Sequence, residues 1–257
     1  MLLKTKTEEL KVPTGLWSSP IYELTSAHGE KINIDVTKSS PSIGLPPNKV
    51  IINEFIPFFK SGKLESVLDL GAGVLRHTIP FLKAGFQVYA VEFKELFNSP
   101  ASMRMLKQAM GHKNFSPLMT PSDFLLDTRK FDAALLCNVL QIMPVEKERR
   151  ILLKYVAEKL HNQAYLLYIG SRTSSYMRNR LKELHRVNDG HFVGAKHKYK
   201  TFYRDFTDRE THALMAEFGF QRVRNLKNLL YLSGPFYKIF LYKKQEEIAE
   251  FNYVKRV

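Results

Sequence analysis

Five short runs of almost uninterrupted apolar residues, at 66–70, 86–91, 115–119, 131–137 and 164–169, alternate with segments of helical periodicity. A strand with one wet face alternates apolar and polar side chains, so runs of this kind need both faces covered. Alternation with helices then requires a mostly parallel sheet flanked by helices on its two sides. The run at 115–119 is the weakest of the five. Glycines close two of the intervening helices: 76–84 stops at Gly85 and 99–110 at Gly111. A third helix starts at Pro144 and carries Glu146 and Glu148 in its first turn, where a carboxylate suits the helix dipole. It keeps Ile151, Leu152, Tyr155, Val156 and Leu160 on one face. Further on, Thr207-Asp208-Arg209-Glu210 is a capping box that opens a helix through Phe218, closed by Gly219. Residues 220–226 and 236–242 read as two last strands with Ser233-Gly234-Pro235 between them, an antiparallel hairpin at the sheet edge. The expected fold is α/β, with seven mostly parallel strands, a terminal antiparallel hairpin and helices on both faces.

The first 47 residues do not follow this rhythm. Pro13, Gly15, Pro20, Gly29, Pro41, Gly44, Pro46 and Pro47 interrupt short apolar runs, which predicts a loop-rich arm or lid. Trp17, Tyr22 and the turn at 44–47 are the candidates for its contact with a site. Asn48 then opens an apolar run at 50–56 spaced for a buried helix face, so the main domain is expected over 48–257.

The sharpest local feature is Val67-Leu68-Asp69-Leu70-Gly71-Ala72-Gly73, set between a strand and a helix. Glycines there let the backbone turn tightly and approach a ligand with no side chain between them. Open α/β sheets bind ligands at the carboxyl ends of their strands, where this turn lies. A plain strand-to-helix turn that needs only small residues is the competing reading. A dinucleotide fingerprint needs a glycine at 76, where Arg76 stands, and a phosphate-cradling loop needs Gly-Lys-Ser/Thr, which is lacking. What remains is an acid before the glycines and a second acid, Glu92, ending the next strand. A carboxylate at that place can accept both hydroxyls of a ribose.

This arrangement resembles the class I S-adenosylmethionine-dependent methyltransferases, whose first motif runs acid-x-Gly-x-Gly and whose second strand ends in an acid. In element order the resemblance covers about residues 48–243, and its motifs are specific around 66–92. It implies a Rossmann-like sheet and S-adenosylmethionine as cofactor. By the same resemblance, Asp69, Gly71, Ala72 and Gly73 lie against the methionine and ribose portions. Glu92, next to Phe93, would hold the ribose hydroxyls. Asp123 would accept from the adenine amino group beside Phe124, and Asn138 and Val139 would sit where cofactor and acceptor meet, followed by Gln141. Leu75 departs from the pattern, since many members carry a third glycine there.

The acceptor is less constrained, because methyl transfer to a nucleophilic atom needs alignment and at most a base. The segment 138–140 lacks the Asp/Asn-Pro-Pro-aromatic motif of DNA amino-methyltransferases. Cys137 follows Leu136 inside an apolar strand, which reads as an inert thiol rather than a nucleophile. No metal-ligand spacing stands out, and no catalytic base is assigned. Lys and Arg total 39 against 25 acids, a net charge of +14, and residues 171–257 carry 18 basic against 9 acidic residues. An insertion is expected at 171–205, where basic residues are interleaved with Tyr176, Phe192, Tyr199 and Phe202. Such a surface suits a phosphate backbone with stacked bases. The first expectation is therefore an anionic acceptor, a nucleic acid, with RNA ahead of DNA. The alternative is a small-molecule O- or N-methyltransferase, and a second one is a non-catalytic partner or RNA-binding subunit on the same fold.

Arg76 and His77 begin the helix after the glycine turn, in reach of cofactor or acceptor. Arg178, His191 and His197 belong to the insertion; Gly190 and Gly194 beside His191 suggest a mobile loop over the site. With Cys137 alone no intrachain disulfide forms, and no apolar run approaches the roughly 20 residues of a membrane span. A cytoplasmic protein is the expectation, with oligomeric state left open.

Overall fold

The computed structural model describes residues 17, 19–25, 29–39, 45–172, 186–193, 200–224 and 237–246. In the arm, β1 (Ile21–Thr25) and β2 (Lys31–Asp35) pair antiparallel. A helical stretch follows that passes through a wide turn at Ile51–Phe55 into α1 (Ile56–Ser61). Pro57, which has no N–H to give the helical ladder, lies at the junction. Phe55 and Phe59 from this stretch are fully buried against the sheet.

The core sheet is built from β3 (Ser66–Leu70), β4 (Gln87–Val91), β5 (Phe131–Cys137) and β6 (Leu160–Ser171). These strands are parallel in the order β4-β3-β5-β6. Successive side chains point to opposite faces, and both faces are covered. Leu68, Ala134, Leu136 and Leu166 meet one apolar layer, while Val67, Ala133, Leu135 and Leu167 meet the other. That two-sided burial is why these strands are apolar at every step, each full-sized side chain contributing about 1.5–3 kcal/mol. The second layer holds α1, α2 (Thr78–Lys83) and α3 (Pro100–Met110). The first holds α4 (Pro121–Leu126) and α5 (Glu146–Lys159). Ser99 caps α3 by accepting from the Ser102 N–H (3.1 Å), with Pro100 following it.

Beyond β6, a small antiparallel sheet stands apart from the core: β7 (Arg186–Val187), β8 (Gly190–Val193) and β9 (Thr201–Tyr203). The chain returns through α6 (Asp208–Glu217), whose predicted capping box is formed between Thr207 and Glu210. It then extends the core sheet with β10 (Phe220–Arg222) and β11 (Tyr237–Lys244), antiparallel to each other and β11 antiparallel to β6. The sheet therefore runs β10-β11-β6-β5-β3-β4, an α/β arrangement with antiparallel end strands. The turn at 233–235 lies outside the described residues.

Two expectations are corrected. The run at 115–119 is not a ladder strand: it touches β4 only through bridges at Phe115–Val88 and Met119–Val91. Pro117 between them lacks the N–H a ladder would use. The glycine-flanked loop expected around His191 is strand β8, where His191 pairs with Arg186 and Tyr203.

The arm and the insertion also combine. The Asp35 N–H donates to the Lys200 carbonyl (2.9 Å), and the Lys200 N–H donates to the Asn33 carbonyl (3.0 Å). Ile32, Ile34 and Val36 from the arm share a buried cluster with Val187, Phe192 and Phe202. Asp189, in the turn between β7 and β8, ties this cap to the core through ion pairs with Arg149 and with Arg204 (2.7 Å).

Candidate functional site

The site opens at the carboxyl ends of β3, β4 and β5. Leaving β3, the Gly71 and Ala72 N–H groups both donate to the Val91 carbonyl (3.0 and 3.2 Å), folding the turn across the end of β4. Gly71 (φ +62°) and Gly73 (φ +57°) hold left-handed conformations. A Cβ on Gly71 would sit 2.6 Å from Val139 Cγ2, so the loop at this point has room only for backbone. Leu75 is also left-handed (φ +63°), which explains why glycine would suit the position. Here full burial of the leucine side chain offsets a backbone cost of about 1–2 kcal/mol.

Two carboxylates frame the turn. Asp69 is 1% exposed and accepts from Thr78 Oγ1 (2.6 Å), and burial lifts its pKa to about 6 against the pull of that bond and of Arg76. It stands behind the loop, outside the cavity lining. Glu92 faces the cavity. One of its oxygens accepts from the Gly73 N–H and the other from the Phe93 N–H, each at 2.8 Å. Burial pushes its pKa to about 7, with those two bonds opposing the shift.

The cavity has a volume of about 680 Å³. It brings together Gly71, Ala72, Gly73, Glu92, Phe93, Phe124, Asn138 and Val139 with Arg76, His77 and Gln141. Asn138, left-handed at φ +59°, ends β5. Its Oδ1 accepts from Gln141 Nε2 (2.8 Å) and from Ser171 Oγ (3.1 Å), so three elements are locked beneath the cavity floor. His77 is 4% exposed and its Nε2 has no hydrogen-bond partner among the described residues. Burial, then the neighbouring Arg76, lowers its pKa to about 3, so the imidazole is neutral. Cys137 also lines the cavity, and burial pushes its thiol up to about 12.

Other sequence-predicted residues are not brought here. Asp123 is exposed and does not line the cavity. Its carboxylate accepts from the Thr120 N–H (2.9 Å) and hydroxyl (2.7 Å), completing the capping box of α4. Pro121 and Phe124 of the same segment do line the cavity. His191 lies outside the lining, and Arg178 and His197 lie outside the described residues.

The arm was expected as a lid with Trp17 and Tyr22 as its contacts, and its partners across the cavity were not anticipated. Thr37 from the arm, Thr201, Phe202 and Tyr203 from β9, and Tyr237 from β11 close the far side. Trp17 and Tyr22 join them, pinned by a residue of α5: the Glu148 carboxylate accepts from Tyr22 OH (2.7 Å) and from Trp17 Nε1 (3.2 Å). Glu148 reads in the sequence as a helix-dipole carboxylate, and nothing local marks its second role. Among the described residues no group of three or more His, Cys, Asp or Glu could hold a metal ion, and no helix is long and apolar enough to cross a membrane.

No family model and no curated protein matches the sequence. Solved structures do match in shape. A SAM-dependent methyltransferase from Methanosarcina mazei is 17% identical, with a TM-score of 0.54 over 71% of this chain and 93% of that one. Magnesium protoporphyrin IX methyltransferase from Synechocystis, with bound SAH, is 18% identical, with a TM-score of 0.53 over 76% and 82%. The 1,6-didemethyltoxoflavin-N1-methyltransferase of Burkholderia thailandensis, with its substrate and S-adenosylhomocysteine, is 21% identical, with a TM-score of 0.51 over 82% of each chain. The sheet order, the glycine turn after β3 and these likenesses agree: the chain has the class I S-adenosylmethionine-dependent methyltransferase fold.

Proposed function

We propose that this protein is an S-adenosylmethionine-dependent methyltransferase whose acceptor is a small molecule. The observation that carries the reading is the roofed cavity. Its lining joins the bare glycine turn and Glu92 to aromatic side chains of the arm, β9 and β11. Its volume is in the range that encloses small ligands.

The residues fit the cofactor. The turn leaves backbone exposed where a side chain would collide, and each Glu92 oxygen keeps lone-pair capacity for a ribose hydroxyl beyond its one backbone bond. The orphaned His77 Nε2 needs a partner, since an unpaired buried polar group costs about 1–3 kcal/mol that a ligand atom recovers. Arg76 lines the same end, with no carboxylate within ion-pair distance among the described residues, and suits the cofactor's carboxylate. Bound there, S-adenosylmethionine would supply an electrophilic sulfonium methyl for a lone pair of the acceptor. The chain's part is to align the two reactants and keep water out. Asn138, Gln141 and Ser171 stiffen the floor beneath the meeting point, and the roof covers it.

A small acceptor is favoured over RNA for a further reason. Of the four cations in the described part of the insertion, two are engaged internally: Lys200 stands over the Phe192 ring (4.3 Å), and Arg204 stands over Phe206 (4.1 Å) while pairing with Asp189 and Glu210. Small-molecule acceptors are also named for two of the matched structures.

Calorimetric titration with S-adenosylhomocysteine tests the reading. Saturable binding, weakened by Glu92→Ala, is expected, followed by transfer of labelled methyl to a small-molecule extract and not to RNA. A folded wild-type protein that binds no S-adenosylhomocysteine refutes it.

A further inference from the structure

The acceptor chamber has a distinctive polar pattern: four of the hydrogen-bonding side chains on its wall, Trp17, Tyr22, Thr37 and Ser171, are committed to the protein. Glu148 accepts from both the Trp17 indole and the Tyr22 phenol, so these two side chains turn carbon toward the chamber. The Thr37 hydroxyl donates to Asp35 (2.6 Å), and the Ser171 hydroxyl donates to Asn138 (3.1 Å). What this leaves is an aromatic slot.

Charge is distributed as unevenly. Among the described residues lining the whole cavity the one carboxylate is Glu92, at the cofactor end, and the cations are Arg76 and Arg172. Arg172, 38% exposed, follows the end of β6 on the chamber side. Its guanidinium is held from behind: Nε donates to the Tyr237 carbonyl and one terminal nitrogen to Asp208, both at 3.3 Å. A guanidinium has five N–H donors in a rigid fork, so these two long bonds aim it without exhausting it. Tyr203 and Tyr237 flank it on the lining.

From this juxtaposition we infer that the acceptor is a small aromatic acid, its ring among the aromatic side chains of the chamber and its carboxylate on Arg172. The inference rests on the methyltransferase reading and specifies its substrate class. An apolar aromatic wall rewards a flat ring, and one pre-aimed guanidinium rewards one carboxylate in the bidentate manner. A cationic acceptor would be repelled by the Arg172 guanidinium, and a neutral one would forgo the charge-assisted pair.

The test is a titration into protein saturated with S-adenosylhomocysteine. Hydroxybenzoate and hydroxynaphthoate ions are set against the carboxamides and the aminomethyl analogues of the same rings. The acids are expected to bind tighter than the amides by about tenfold or more, as a charge-assisted pair implies, with the amines weakest. Arg172→Gln is expected to erase that preference while leaving S-adenosylhomocysteine binding intact, and Arg172→Lys to keep part of it. Equal binding of acids and amides overturns the inference, as does failure of the whole panel to bind, or an acid preference that survives Arg172→Gln. The selectivity of the wild-type protein decides the matter even if Arg172→Gln fails to fold. Absence of S-adenosylhomocysteine binding in the wild type is a separate result, which removes the methyltransferase reading itself.

Discussion

Glu148→Ala should loosen the roof while leaving the core sheet in place. The carboxylate accepts two hydrogen bonds, 2.7 Å from Tyr22 and 3.2 Å from Trp17, and alanine removes both at once. A hydrogen bond to a charged group contributes about 1.5–3 kcal/mol, and partial exposure of Glu148 places these toward the lower end. The expected loss in docking of the arm is therefore about 3 kcal/mol, roughly two orders of magnitude in its opening equilibrium. β2 stays attached to the cap through its backbone bonds with Lys200, so the effect is concentrated at Trp17 and Tyr22. Trp17 is the only tryptophan in the chain and is 7% exposed, which makes it a direct reporter. Its emission should shift to the red, and acrylamide should quench it more strongly. Glu148→Gln keeps an acceptor oxygen without the charge and should fall between wild type and alanine. An emission spectrum and quenching constant unchanged in Glu148→Ala would show that the arm is held by packing alone.

Three further outcomes are expected. Gly71→Ala forces a side chain into a left-handed backbone, at about 1–2 kcal/mol, and against Val139 Cγ2 at 2.6 Å. S-adenosylhomocysteine affinity should drop about tenfold or more with a lower melting temperature, and unchanged calorimetry would refute the close-approach argument. Burial raises Glu92 to about 7 and Asp69 to about 6, so in the folded state they keep protons that the unfolded chain has already released. Stability of the ligand-free protein should therefore fall as pH rises from about 4 to about 7 and then level off, with Glu92→Gln flattening the upper part of that decline. A flat melting profile across this window would contradict the burial of both groups. Asp123→Ala removes half of the α4 capping box, at about 1 kcal/mol, and should leave S-adenosylhomocysteine affinity untouched. A tenfold weaker affinity would return Asp123 to the cofactor site.

The sequence by itself determined the features that depend on neighbours along the chain. Runs such as Phe131–Cys137 are apolar at every step because both sheet faces bury them, so they could be recognised without coordinates. The turn from Asp69 to Gly73 and the acid at Glu92 were legible for the same reason: one strand–turn–helix–strand unit contains both. The Thr207–Glu210 capping box was read correctly from four consecutive residues. A like pattern at Thr120–Asp123 was there to be read as a cap, and the expected cofactor contact took precedence over it.

Only the tertiary structure decided how the arm and the insertion meet. Tyr22 and Glu148 are 126 residues apart, Arg149 and Asp189 are 40 apart, and β2 meets Lys200 across most of the chain. None of these pairs leaves a periodicity or a spacing, since each side chain is individually ordinary for the element that carries it. The arm, read as a loop-rich arm or lid, and the insertion, read as a basic surface, share one apolar cluster in which Ile32, Ile34 and Val36 meet Val187, Phe192 and Phe202. A hydrophobic cluster assembled from distant segments follows from chain topology, and that is why the glycine turn could be located from the sequence while the wall opposite it could not.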